Sequence, residues 1–131
     1  MFRSSTFLRL VLLLDAVTCA ATGLMTMLGA ATLEQSLGLP VTLLRYAGFS
    51  LLPFAAFLLF LAARQQSSAS PIRAAILLNV LWTFDSFLIL ATGWVAPTQL
   101  GYALVTAQAL GVAMLAGLEY VGLRKSVTAA V

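Results

Sequence analysis

Apolar residues fall in four long runs along this chain, at residues 7–31, 40–63, 74–95 and 99–123, with polar residues gathered in the short stretches between them. Each run is long enough, at a rise of 1.5 Å per residue, to cross ~30 Å of hydrocarbon as a helix. The pattern predicts an all-α fold, an integral membrane four-helix bundle forming one domain over residues 1–131. Between the first two runs, Thr32 is expected to cap a short helical turn that carries Glu34 and Gln35, with Gly38 ending it at the membrane interface. Pro40 suits the first turn of the second span, where its missing amide has no partner to lose. Pro53 lies inside that span and is expected to bend it, with Gly48 and Ser50 one turn earlier easing the bend. Residues 64–73, RQQSSASPIR, read as an exposed connection. Pro97 and Thr98 read as a tight turn, with Thr98 capping the last span.

Composition supports the same picture. The 131 residues are 62% hydrophobic and 8% charged, against roughly 25% charged in a soluble domain. Four spans of ~20 residues use most of the chain, so little is left for a separate catalytic domain. The net charge of +3 does not form a basic patch interleaved with exposed aromatics, so no nucleic-acid partner is expected. It is a topology signal instead. Arg3, Arg9, Arg64, Arg73, Arg124 and Lys125 fall in the amino terminus, the middle connection and the carboxyl terminus, and only Arg45 falls near the other side. That bias predicts both termini in the cytoplasm. Trp94, Tyr102 and Tyr46 then lie near the opposite interface and Tyr120 near the cytoplasmic one. Arg3 and Arg9 ahead of residues 10–14 imitate a signal peptide, but Asp15 interrupts the apolar stretch and it continues to residue 31, so a retained first span is expected.

With no histidine and one cysteine, Cys19, the chain lacks the usual ligands of haem, zinc, copper and iron–sulfur clusters, and no cofactor or metal is expected. Cys19 is read as an inert, small apolar residue. The chemistry therefore rests on polar groups at membrane depth. Counting rise from the span midpoints puts Asp85 near the midplane and Asp15 and Asn79 at matching levels ~6 to 8 Å nearer the cytoplasm. Gln108 falls ~5 Å to the other side of centre. Steps of 100° per residue place Asn79, Trp82, Asp85 and Ser86 in one broad sector, and Gln108 and Glu119 on one face. A carboxylate in the middle of a helix costs ~2.5 to 3.5 kcal/mol on insertion scales, comparable with the roughly 4 kcal/mol needed to protonate an aspartate at pH 7. Asp85 is therefore expected to be neutral and bonded to Asn79, Trp82 or Gln108. Asp15, Asn79, Trp82, Asp85 and Gln108 form the candidate proton or substrate site. Glu119 is expected to pair with Arg9 or Arg124, and Glu34 with Arg45.

Helix association in lipid depends on small residues that let backbones approach. The rows Ala103, Ala107, Gly111 and Ala109, Ala113, Gly117 make the fourth span the expected packing centre. The first span offers Thr18, Thr22, Thr26 and the offset pair Cys19, Gly23. Phe54, Phe57 and Phe60 on the second suggest a lipid-facing or subunit-facing surface.

At the stretch from Asn79 to Ser86 (NVLWTFDS), at Gly93 to Thr98 (GWVAPT) and at the ending Gly122-Leu123-Arg124-Lys125, the chain resembles small uncharacterised four-span inner-membrane proteins of bacteria. The resemblance covers nearly the whole chain. It implies a fold and a location in the bacterial inner membrane, and brings no substrate or catalytic residue with it. Small multidrug exporters also carry one acid in their first helix, as Asp15 would be, but their other spans do not match, and the charge asymmetry here argues against dual insertion.

Three functional readings are open. The simplest is a non-enzymatic bundle that acts as an accessory subunit or completes itself as a homo-oligomer within the bilayer or a larger membrane complex. The alternative is a proton-coupled carrier or exporter of a small apolar or cationic compound, using Asp15 and Asp85 with the Pro53 bend as a gate. A lipid or isoprenoid enzyme with Asp85 and Glu119 as acid and base is disfavoured by the ~15 Å that the depth estimate puts between them.

Overall fold

A computed structural model describes residues 2–93 and 95–129. The described residues form five helices, α1 (Thr6–Leu28), α2 (Ala30–Leu37), α3 (Val41–Ala63), α4 (Ala69–Thr92) and α5 (Gln99–Ala129). All but α2 are long and apolar enough to cross a membrane, as in a small multi-pass membrane protein. A two-residue antiparallel backbone pairing ties Phe2–Arg3 to Gln66–Ser67.

The helix boundaries follow local chemistry, and several differ from the sequence expectation. Ser5 caps α1 by accepting a hydrogen bond from the Leu8 amide at 3.1 Å. Gly29 interrupts the first apolar run, so residues 30 and 31 belong to α2 and Thr32 lies inside that helix instead of capping it. Gly38 ends α2 with φ of 71°, a left-handed conformation that glycine adopts without steric cost. Pro40 stands one position before α3, as its N-cap. Glu34 takes the role that an N-cap side chain would have there, accepting from the Val41 amide at 2.7 Å. Its expected pairing with Arg45 gives way to this bond. Pro53 is an exposed residue within α3.

The connection after α3 is shorter than the polar composition suggests, because α4 already begins at Ala69. Pro71 and Arg73 sit in its opening turns, where proline is tolerated because the first amides of a helix have no intrahelical acceptor. At the other extreme α5 runs past residue 123 to Ala129. Its last turns are held by Leu123 and Ser126, both buried, and by the Ser126 hydroxyl, which accepts from the Ser5 amide at 2.9 Å.

Both ends of the bundle are tied. At one, the Ser4 amide donates to the Gln65 carbonyl at 2.9 Å, so the amino-terminal segment, residues 64–68 and the end of α5 meet. Arg64, Arg124 and Lys125 lie over the rings of Phe60, Tyr120 and Phe7 at this end. At the other, Thr98 donates from its amide to Leu37 and from its hydroxyl to Ser36, fastening α2 across the start of α5. Thr98 also accepts from the Gly101 amide at 3.1 Å, the capping bond expected of it. Exposed Tyr46 and Tyr102 belong to the helices that start at this end. Trp94 lies outside the described residues.

The main interfaces are α1 with α3 and α4 with α5, joined by α1 against α5. Gly48 sits at the α1–α3 crossing, where a Cβ would stand 2.6 Å from the Gly23 carbonyl oxygen and 2.5 Å from the Thr26 hydroxyl. The small-residue rows of α5 do not serve the same purpose. Only Ala109 among them is buried, Ala103, Ala107, Gly111, Ala113 and Gly117 are exposed, and Gly111 and Gly117 have open space where a side chain would stand. Of Phe54, Phe57 and Phe60 on α3, the first two pack partly against the core and Phe60 is exposed.

Candidate functional site

The spans run in the order α3, α1, α5, α4 around the bundle, and α3 barely touches α4. All four spans line a cleft of about 490 Å³ whose wall is mostly apolar but includes Thr18 and Cys19 from α1, Asn79 and Trp82 from α4, and Gln108 from α5, with Phe54 from α3.

Behind this wall lies a buried polar cluster. Asp15 and Glu119 are both 0% exposed, and Asn79 is 2% exposed. The Asn79 amide nitrogen donates one hydrogen bond to Asp15 Oδ2 at 2.7 Å and one to Glu119 Oε1 at 2.8 Å. Three spans, α1, α4 and α5, are thus joined at one nitrogen. The Cys19 thiol donates to Asp15 Oδ1 at 3.4 Å, so a residue expected to be inert completes the shell of the aspartate. Glu119 Oε2 is buried with no hydrogen-bond partner among the described residues. No basic side chain bonds to either carboxyl: the Arg9 guanidinium, the expected partner of Glu119, donates through Nε to the Ala62 carbonyl at 3.0 Å, and Arg124 is exposed beside Tyr120.

A second network lies one to two turns along α4. The Trp82 indole donates to Gln108 Oε1 at 2.8 Å, and the Gln108 amide donates to the Ser86 hydroxyl at 2.9 Å and the Val105 carbonyl at 3.1 Å. Ser86 donates back to the Trp82 carbonyl, and Thr83 to the Asn79 carbonyl at 3.0 Å. The two networks therefore share the α4 backbone.

Of the five residues expected to form one site, the structure brings Asp15 to Asn79 and Trp82 to Gln108. It leaves Asp85 outside. Asp85 is exposed on α4 and makes no side-chain hydrogen bond among the described residues. The reason is rotation: six residues separate it from Asn79, which is about 120° around a helix of 3.6 residues per turn. A sector wide enough to hold both is wider than one packing face. Glu119 takes the place that Asp85 was expected to fill. Its helix continues to Ala129, so Glu119 lies well inside α5 and not in its last turn. The eleven-residue spacing that puts Gln108 and Glu119 on one face was the signal, since both turn toward α4.

Among the described residues no three histidine, cysteine or acidic side chains converge as metal ligands. The chemistry of the pair also disfavours a cation held by both acids, because Asn79 aims amide hydrogens, not lone pairs, at the two carboxyls. What the arrangement can do is hold protons: two carboxyls on one donor, out of water and without a counter-cation, repel each other when both are charged. Comparison with protein-family models, curated proteins and solved structures found no match to this chain.

Proposed function

We propose that this chain is a proton-coupled carrier of small lipophilic cations in the cytoplasmic membrane of a bacterium. Asp15 and Glu119 hold the exchanged proton, and the cleft lined by the four spans receives the compound. The observation that carries this reading is the carboxyl pair itself, fully buried on the Asn79 amide, free of basic partners and set behind an apolar cleft that Asn79 helps to line. An organic cation entering the cleft meets the Trp82 ring, whose face attracts positive charge. Its own charge then replaces a proton on the pair, so that one positive charge enters as another leaves. The Asn79 amide stays bonded to both acids in either state and keeps them in place. Asp85 has no part in this exchange. The amino terminus, residues 64–68 and the carboxyl terminus face the cytoplasm in this proposal, supported by six basic residues on or close to those segments against Arg45.

The competing reading, an accessory subunit in which the same cluster only ties helices together, makes a different prediction. Purified wild type and the Asp15→Asn and Glu119→Gln variants can be titrated with tetraphenylphosphonium in weakly buffered detergent solution while bound cation and released protons are counted. Wild type is expected to release about one proton per cation bound, and each variant to bind more weakly and release none. Equal binding by all three proteins with no proton release assigns the cluster to structure alone.

A further inference from the structure

α4 is the span least covered by its own chain. Its exposed surface includes Ala74, Leu78, Leu81, Asp85, Leu88 and Thr92, spaced alternately by four and three residues. That is the heptad seam of a left-handed helix pair, the crossing most common between membrane helices. Lipid covers leucine and alanine without cost, but it cannot satisfy the carboxyl in the middle of the row. Asp85 lies about 10 Å of helix rise from Thr92 and about 16 Å from Ala74, and an aspartate, with one carbon in its stem, cannot extend that far to headgroups or water.

We infer that α4 is the interface of a parallel homodimer in which Asp85 meets Asp85 of a second copy across a two-fold axis normal to the membrane. Three features favour a second copy as the occupant. A two-fold axis in that direction puts the same residue of both copies at the same depth, so Asp85 meets its own kind. A neutral carboxyl is both donor and acceptor, and is therefore complementary to itself. The heptad spacing centres Asp85 in the seam, with Leu81 and Leu88 on either side to exclude lipid tails. The dimer does not rest on the carrier reading: Leu78 of the seam also lines the cleft, but no seam residue bonds to the Asp15–Asn79–Glu119 cluster.

The test is disulfide cross-linking in native membrane vesicles. Single cysteines are introduced into a Cys19→Ala background at Leu81 or Leu88 on the seam, and at Val80 or Phe87 on the neighbouring exposed face. Oxidation is expected to give covalent dimers from the Leu81 and Leu88 positions and few from the other two. Adding Asp85→Leu should weaken the seam cross-link about tenfold, and Asp85→Asn, which still donates and accepts, should retain it. Equal cross-linking on both faces, none at the seam, or a seam cross-link to a different protein overturns the proposal. So does an Asp85→Leu dimer as strong as wild type.

Discussion

Asn79 has two amide hydrogens, and the fold gives both of them to buried acids. Replacing it with alanine removes the shared donor and leaves Asp15 and Glu119 facing each other with no amide between them. Asn79→Ala is expected to lower stability by about 1 to 3 kcal/mol, measured by unfolding in mixed micelles of increasing denaturing detergent. Asp85→Asn, by contrast, should leave the stability of a single chain within about 0.5 kcal/mol of wild type, since exposed positions free of contacts tolerate substitution. Sequence reasoning reached half of this. Depth counting put Asp15 and Asn79 at one level because rise per residue is nearly constant, and they do bond. It could not tell which acid on which neighbouring helix would complete the cluster, because that depends on rotation of each helix about its axis.

At the scale of elements, small residues matter where another backbone approaches. Gly48→Ala drives a methyl group against the Gly23 carbonyl, where the backbone of α1 cannot yield cheaply. It is expected to cost about 1 to 3 kcal/mol, the usual range for overpacking. Gly117→Ala, on a face of α5 with open space, is expected to be neutral or mildly stabilising, because alanine favours helix by about 1 kcal/mol over glycine. The same detergent titration compares the two. A row of small residues is legible in the sequence of α5 and of α1 alike, yet the close approaches are made by Gly23 on α1 and, outside the rows of α5, by Gly101 and Gly122. Spacing shows that a helix can be approached, and the order of helices around the bundle decides whether it is.

At the scale of the whole molecule, the ties at each end fix which segments share a side. Residues 64–68 join the amino-terminal segment, and α2 joins the start of α5. Cysteines placed at Gln65 and at Gln35 are therefore expected to react with an impermeant maleimide from opposite faces of sealed vesicles. Labelling of Gln65→Cys from outside intact cells would reverse the proposed orientation. The sequence by itself determined the four apolar helices, their approximate lengths and the gathering of basic residues on alternate connections, because hydrocarbon imposes length and polarity on each segment separately. Only the tertiary structure decided that the four spans leave a cleft among them, that Glu119 joins Asp15, and that Asp85 faces outward. Those facts depend on how helices turn and pack against one another, and in lipid that is set by close contacts and a few polar bonds between residues far apart in the chain.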